Sequence, residues 1–194
     1  MTVNLGRGKT ATVDVDEDVR VDLLEKMGNL RTPFLADGTI TAGNASGIND
    51  GAAAVVLMTR ADAEARSLPV VATVLGYADA AHEPEMFTTA PSLAVPLALK
   101  KAGVDVAQVD IFEVNEAFSV VALANAKLIG APLDKVNVHG GGVSIGHPLG
   151  CSGARIVLSA ISALKRKNGG TGIAAVGICN GGGGASALVF RMDA

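Results

Sequence analysis

Aromatic residues, cysteine and long apolar runs are all scarce in this sequence. Aromatic residues make up 3% of the 194 positions and tryptophan does not occur, so the core must consist mainly of Ala, Val, Leu and Ile. Two cysteines suit neither a zinc site nor a disulfide framework, and we expect no metal and a reducing compartment. No stretch reaches the ~20 apolar residues of a membrane span, so we expect no membrane partner.

Neither positive nor negative charge is in large excess. The net charge of −3 gives no electrostatic reason to expect a nucleic-acid partner. The first residues lack the apolar region of a secretory signal peptide. We therefore expect an intracellular protein, either cytoplasmic or in an organelle matrix, that is not secreted. Hydrophobic residues reach 49%, which is enough for a sizeable core.

Strand-like and helix-like segments alternate from Ala52 onward, which predicts an α/β fold with a mixed sheet. The predicted strands are Ala53–Met58, Val70–Leu75, Asp110–Val114, Val136–Val138, Ile173–Ile178 and Ser186–Phe190, the last two forming a hairpin. The predicted helices are Asp62–Arg66, Ser92–Lys101, Phe118–Ile129 and Ile156–Leu164. Ser92 is the expected N-cap of the second helix and Gly103 its stop signal.

The first part of the chain has a different character. Residues 1–50 are charged and show little periodicity, apart from a helix-like segment at Val19–Leu30. The segment Thr41–Asp50 is rich in small and turn-forming residues, which predicts a loop.

Three loops that follow apolar strands carry the residues whose side chains could take part in catalysis. The longest is Asn137–Arg155, where three consecutive glycines precede His147; the others present Asn115 and Cys179. Glycines let another group approach the backbone closely, so we expect something to come near this loop. Neither a dinucleotide fingerprint nor a phosphate-binding P-loop is present. Taken singly, such a His, Cys or Asn is more often structural than catalytic.

Read together, the three loops resemble the three signature blocks of the thiolases. They are VNEAF at 114–118, GGGVSIGHPLGCSGAR at 140–155 and CNGGGGAS at 179–186. Thiolases make or cleave 3-ketoacyl thioesters of coenzyme A. The similarity is greatest to the acetoacetyl-CoA type, helped by Glu85–Pro91 and Thr41–Gly47.

The resemblance implies a thiolase fold with a mixed five-stranded sheet and helices on both faces. It assigns residues 1–50 to a remnant of the loop domain, 51–66 to the last strand and connection of the N-terminal half, and 67–194 to the C-terminal domain. A whole thiolase is much longer, and its nucleophilic cysteine belongs to the other half. We therefore expect this chain to be a fragment, a truncated gene product or one piece of a split enzyme.

The resemblance also implies roles for four residues in condensing two acetyl-CoA molecules, or in the reverse thiolysis. His147 deprotonates the nucleophilic cysteine and helps bind the enolate oxygen. Cys179 is the acid/base that takes and returns a proton. Asn115 holds a water in the oxyanion hole shared with His147, and the Gly181 backbone N–H serves a second oxyanion hole. Coenzyme A thioesters are substrates, and no covalently bound cofactor is expected.

Contacts with coenzyme A carry over from the resemblance as well. Ser46 corresponds to a serine beside the pantetheine arm, and Ala42 and Gly47 lie next to it. An arginine near the adenine-phosphate end corresponds to Arg20. The acyl and pantetheine tunnel has apolar walls at the positions of Met86 and Phe118, although simple core packing is a nearly equal alternative for Met86.

Partners and alternatives follow from the same comparison. Besides acetyl-CoA and acetoacetyl-CoA, an N-terminal thiolase half is the expected partner, and the complete protein is expected to be a homodimer or homotetramer. The alternative function is a non-catalytic, thiolase-derived CoA-binding or assembly subunit. A ketoacyl or hydroxymethylglutaryl synthase is a third option, against which the CNGGGGAS block argues. The direction of the reaction and the acyl chain length stay open.

Overall fold

The computed structural model describes residues 1–16, 21–167 and 169–193. The strands are β1 (Thr2–Gly6), β2 (Lys9–Thr12), β3 (Thr73–Ala81), β4 (Ile111–Val114), β5 (Gly172–Cys179) and β6 (Gly184–Met192). The α-helices are α1 (Arg60–Ala65), α2 (Pro91–Ala102), α3 (Ser119–Ile129), α4 (Gly142–Ile145) and α5 (Ser152–Lys167). Single 3₁₀ segments occur at Val21–Asn29, Pro84–Thr89, Val106–Gln108 and Leu133–Lys135.

The main sheet is mixed, as predicted, and has the strand order β3-β6-β5-β4. β6 pairs antiparallel with both β3 and β5, while β4 and β5 are parallel. The predicted hairpin at the end of the chain is therefore confirmed. In the described residues this sheet has four strands, so the expected count of five was wrong.

The predicted strand Val136–Val138 does not form. Val136 makes only an isolated bridge to Phe112, and the next residue, Asn137, has a left-handed φ of 46°. The Asn137 side chain accepts a hydrogen bond from the Val114 N–H and donates one to the Val114 carbonyl, each at 2.8 Å. A side-chain amide thus satisfies the edge of β4 that a fifth strand would otherwise occupy.

The predicted strand Ala53–Met58 is also absent from the ladders of the described chain. Its side chains are apolar but largely open to solvent, with Val56 85% and Leu57 78% exposed. A strand needs a neighbour to pair its N–H and C=O groups, and this segment has no strand beside it in the described residues. An apolar, unpaired segment of this kind is prone to associate with another chain.

Two apolar cores flank the sheet, so the expectation of helices on both faces is confirmed. On one face α2 and α3 pack through residues such as Val95 and Ile129 against Phe112 and Val189. On the other face α5 packs through Ile156 and Leu164 against a second set of strand residues. No helix in the described ranges is long and apolar enough to cross a membrane.

The helix ends follow the sequence signals in part. Gly103 adopts a left-handed φ of 66° and ends α2, as predicted. The expected N-cap at Ser92 was wrong, because α2 already begins at Pro91 and the Ser92 hydroxyl donates to the Thr89 carbonyl at 2.8 Å. The predicted strand at Val70–Leu75 begins later, at Thr73, and extends to Ala81.

The first fifty residues contain more structure than the sequence indicated. The strands β1 and β2 form an antiparallel hairpin around a turn with left-handed φ at Gly6, Arg7 and Gly8. Its side chains are mostly exposed, so the sequence shows no alternation of apolar residues that would predict the hairpin. The helix-like segment predicted at Val19–Leu30 is a 3₁₀ segment, Val21–Asn29, and Val19 lies outside the described residues.

Helix α2 packs closely against the sheet at Gly76 of β3. A Cβ there would lie 2.6 Å from the Ala98 carbonyl oxygen and 2.8 Å from the Ala102 nitrogen of α2. Because these are backbone atoms, relief requires α2 to shift. We expect Gly76→Ala to lower the free energy of unfolding by about 1–3 kcal/mol in urea denaturation. Gly150→Ala is the matched control, because a Cβ there meets open space; equal losses in both variants would contradict the prediction.

Candidate active site

Two of the three side chains expected in the site leave the sheet at the same edge. Asn115 follows β4, and Cys179 is the last residue of β5. Val114 is in register with Gly177, and the Asn115 N–H donates to the Gly177 carbonyl at 3.0 Å. Because the carboxyl ends of parallel strands meet at one edge, both side chains start from that edge.

The loop between α4 and α5 brings His147 to the same place. Its backbone N–H lies 3.2 Å from both the Gly47 carbonyl and the Asn49 side-chain oxygen, and Ile48 forms a parallel bridge with it. Gly146, just before it, has a φ of 89°, and a Cβ there would lie 2.6 Å from the Asn49 side chain. The loop at Thr41–Asp50 therefore packs against the backbone of His147 and holds it in position.

The His147 ring contacts two polar side chains. Its Nε2 lies 3.3 Å from Nδ2 of Asn115, and its Nδ1 lies 2.6 Å from Oγ of Ser152. Burial lowers the pKa of His147, and the positive charge of Arg155 lowers that pKa further. The imidazole is therefore held in the neutral form, which is the form that can accept a proton.

A buried charge pair lies behind Asn115. Asn115 is fully buried, and Nη2 of Arg155 donates to its Oδ1 at 3.2 Å. Nη1 of Arg155 is 3.7 Å from the Glu113 carboxylate, which is 1% exposed. Burial raises the pKa of Glu113 to about 7, against the lowering effect of Arg155 and with a further increase from Glu116. Glu113, Arg155 and Ser152 are site residues that the sequence reasoning missed.

Cys179 is partly buried at the end of β5. Burial raises the pKa of its thiol, and a backbone hydrogen bond offsets part of that increase. At neutral pH the group is therefore mainly the thiol, which can donate a proton.

One glycine in the loop after Cys179 is required by packing against the chain near His82. Gly183 has a φ of 88°, and a Cβ there would lie 2.3 Å from the His82 carbonyl oxygen. Gly181, the predicted oxyanion donor, is exposed and has open space around the position of a Cβ. The prediction that the Gly181 N–H serves an oxyanion hole stays a prediction.

Two of the three consecutive glycines before His147 let Glu116 of the same chain approach closely. A Cβ on Gly141 would lie 2.4 Å from the Glu116 carboxyl carbon, and a Cβ on Gly142 would lie 2.7 Å from the Glu116 carbonyl oxygen. Glu116 accepts hydrogen bonds from Asn137 at 2.7 Å and from the Val143 N–H at 3.2 Å. What comes near this loop in the structure is thus Glu116, which ties it to the end of β4.

The expected coenzyme A residues fall into separate groups. The segment with Ala42, Ser46 and Gly47 lies against the loop after β4, because the Ser46 N–H donates to the Ala117 carbonyl at 3.0 Å. Phe118 is half-buried and contacts Phe34 edge to face, with ring centroids 6.3 Å apart.

Met86 and Arg20 are the other two expected contacts. Met86 is 51% exposed in the Pro84–Thr89 turn, so it is not a core residue of this chain. Arg20 lies outside the described residues. A cleft of about 390 Å³ runs beside the histidine loop, between Asn49–Ala53 and Pro148–Cys151.

Comparisons with known proteins agree with this geometry. The family described as the thiolase C-terminal domain matches residues 68–192, and the thiolase N-terminal domain family matches residues 1–61. Acetyl-CoA acetyltransferase 1 of Arabidopsis thaliana is 55% identical over 98% of this chain and 46% of its own length. The acetyl-CoA acetyltransferase of Saccharomyces cerevisiae is 52% identical over 98% of this chain and 48% of its own length.

Solved structures give the same result. The acetyl-CoA acetyltransferase of Bacillus anthracis has a TM-score of 0.88 and 39% identity over 99% of this chain and 48% of its own. A thiolase from Ascaris suum, solved in complex with coenzyme A, has a TM-score of 0.78 and 42% identity over 87% of this chain and 44% of its own. The chain therefore belongs to the thiolase family, and it spans about half the length of the relatives it matches.

Asn137 holds the end of β4 and Glu116 together, and its loss is expected to be costly. Asn137→Ala removes three side-chain hydrogen bonds and places alanine at a left-handed φ. We expect the free energy of unfolding to fall by about 2–3 kcal/mol, measured by chemical denaturation. Asn180→Ala, at an exposed asparagine, is the control, with an expected loss of no more than about 1 kcal/mol. A smaller loss at Asn137 than at Asn180 would disprove this role.

Glu113 should make stability depend on pH. Its pKa is 4.5 unperturbed and about 7 in the folded protein, so the folded state binds more protons between these values and stability falls as pH rises through that window. Glu113→Gln mimics the protonated form and should remove a loss of about 3 kcal/mol between pH 4 and pH 8. Urea denaturation across this range tests it, with exposed Glu64→Gln as control. An unchanged pH slope in Glu113→Gln would refute the assignment.

Proposed function

We propose that this chain is the C-terminal portion of an acetyl-CoA C-acetyltransferase, which condenses two acetyl-CoA molecules or cleaves acetoacetyl-CoA. The observation that carries the proposal is the contact between Asn115 and a neutral His147, at the sheet edge that also bears Cys179. The names of the similar proteins support the same activity.

Each residue type suits one requirement of this chemistry. A thiol with an ordinary pKa of ~8.5 is mostly protonated at neutral pH, so a nucleophilic cysteine needs a base such as the His147 Nε2. The protonated Cys179 thiol can return a proton to a leaving thiolate, and after losing that proton it can take one from the α-carbon of the second thioester. The Asn115 amide and the Gly181 N–H can stabilise oxygens that become negative.

The nucleophile is proposed to come from an N-terminal thiolase half. In this proposal Cys179 has the acid/base role. Cys151 immediately precedes α5 and lines the cleft beside the histidine loop. The exposed apolar side chains of Ala53–Met58 supply a segment on which such a half could add its own strands.

The wider assignments belong to the same proposal. Residues 1–50 would be part of the loop domain, 51–66 the last strand and connection of the N-terminal half, and 67–194 the C-terminal domain. The completed protein would be a homodimer or homotetramer that binds coenzyme A thioesters with the help of Ser46, Ala42, Gly47, Arg20, Met86 and Phe118. An intracellular location, in the cytoplasm or an organelle matrix, is part of this proposal too.

The test is thiolysis of acetoacetyl-CoA by the chain alone and by the chain mixed with the N-terminal half of a similar thiolase. We expect no turnover from the chain alone and measurable turnover from the mixture. His147→Ala and Cys179→Ala should each lower kcat by at least about 10²-fold, because each removes a proton-transfer group. Cys151→Ser is the matched cysteine control and should retain activity.

Two outcomes would count against the proposal. Turnover by the chain alone would refute the need for a second half. A stable complex with the N-terminal half that binds coenzyme A but never turns over would favour a non-catalytic assembly subunit.

A further inference from the structure

Arg155 reaches from the first turns of α5 to the back of Asn115. Its Nη2 donates to Asn115 Oδ1 at 3.2 Å, and its Nη1 donates to Ser159 Oγ at 3.3 Å. The carboxylate of Glu113 lies 3.7 Å from Nη1. With side chains 16% and 1% exposed, Arg155 and Glu113 form a largely buried pair, of which Arg155 contacts the oxygen of the Asn115 amide.

This contact determines which way the Asn115 amide points. A guanidinium group has only donors, so the atom of Asn115 that faces Arg155 must be the oxygen. The NH₂ group must then face His147, whose Nε2 lies 3.3 Å away. An NH₂ group has only donors as well, so the His147 Nε2 must be the acceptor and carry no hydrogen.

The other side of the ring agrees with this arrangement. If Nε2 carries no hydrogen, the neutral ring must carry it on Nδ1, which lies 2.6 Å from Ser152 Oγ. The Ser152 hydroxyl is then free to donate to the Pro148 carbonyl, which is 3.1 Å away. Each contact in the series from the Arg155 Nη2 to the Pro148 carbonyl therefore pairs one donor with one acceptor.

We propose that Arg155 is a positioning residue that sets the proton on the His147 ring. Through the Asn115 amide it keeps Nε2 unprotonated and directed at the reaction edge, while Ser152 holds the hydrogen on Nδ1. The proposal deepens the proposed function and rests on it, since an unprotonated Nε2 is what the histidine needs to deprotonate a thiol. Glu113 keeps the guanidinium in place behind Asn115.

The tautomer of His147 can be measured on this chain without any catalytic activity. The protein has three histidines, so the ring ¹⁵N shifts of His82 and His139 serve as internal controls. We expect His147 to be the Nδ1–H tautomer in the native chain. In Arg155→Met, the Asn115 amide is free to turn, and the population with hydrogen on Nε2 should rise.

Three further variants sharpen the experiment. Ser159→Ala removes another hydrogen bond of Arg155 and should leave the tautomer unchanged. Arg155→Lys retains a group with donors only and should restore part of the native tautomer. Asn115→Asp cannot donate to His147 and should move the hydrogen to Nε2, which keeps the proposal falsifiable if Arg155→Met does not fold.

The results separate a positioning role from a structural one. Loss of the Arg155 charge alone would raise the pKa of His147 without changing its tautomer. If Arg155→Met and Asn115→Asp both fold and retain the native tautomer, the proposal is wrong. If neither affects the ring while stability falls, Arg155 only links α5 to β4.

Kinetics with the N-terminal half provide the second measurement. Arg155→Met should lower kcat by roughly 10²-fold with little change in KM, whereas Ser159→Ala should match the native chain. A native kcat in folded Arg155→Met would overturn the proposal. If no combination turns over, the proposed function fails, but the ring shifts still decide whether Arg155 sets the tautomer.

Discussion

The parallel pairing of β4 with β5 is the constraint on which the site depends. It aligns Val114 with Gly177, so the residues that follow leave the sheet at one edge. Asn115 is fixed there by its own backbone bond to Gly177, and Cys179 is two residues further along the neighbouring strand. The buried helices on both faces stabilise this pairing and thereby hold two loops at a fixed separation.

Partly buried polar side chains occupy the edge of β4 where a further strand could pair. Asn137 binds both backbone groups of Val114, and Glu116 links that edge to the glycine-rich loop. Behind Asn115, Arg155 connects β4 to α5, the helix that follows His147. Hydrogen bonds therefore hold the candidate site in place. This suits His147 and Asn115, whose proposed roles depend more on the orientation of their side chains than on packing.

Local patterns predicted much of the fold and led to the residues of the candidate site. The left-handed Gly103 and the glycine-separated final hairpin follow from turn chemistry, and three loop motifs identified Asn115, His147 and Cys179. Non-local pairs were not predictable in the same way, because Glu113 and Arg155 meet only after folding. The only sequence signal of this pair was the single charged residue, Glu113, in a short apolar strand. The extended segment Ala53–Met58 was assigned as a strand from composition, although pairing requires a neighbour that the described chain does not supply.

We propose that one sheet edge brings an imidazole, a thiol and an amide around a single thioester carbonyl. A crystal structure of this chain assembled with an N-terminal thiolase half and acetyl-CoA tests it most directly. We predict that, once the His147 Nε2 has taken the proton of the nucleophilic cysteine, the thioester oxygen lies within about 3.2 Å of that protonated nitrogen, with the Cys179 sulfur beside the acetyl group. A thioester bound away from this edge, or a Cys179 side chain that points to the opposite side of the sheet from His147, would contradict the account.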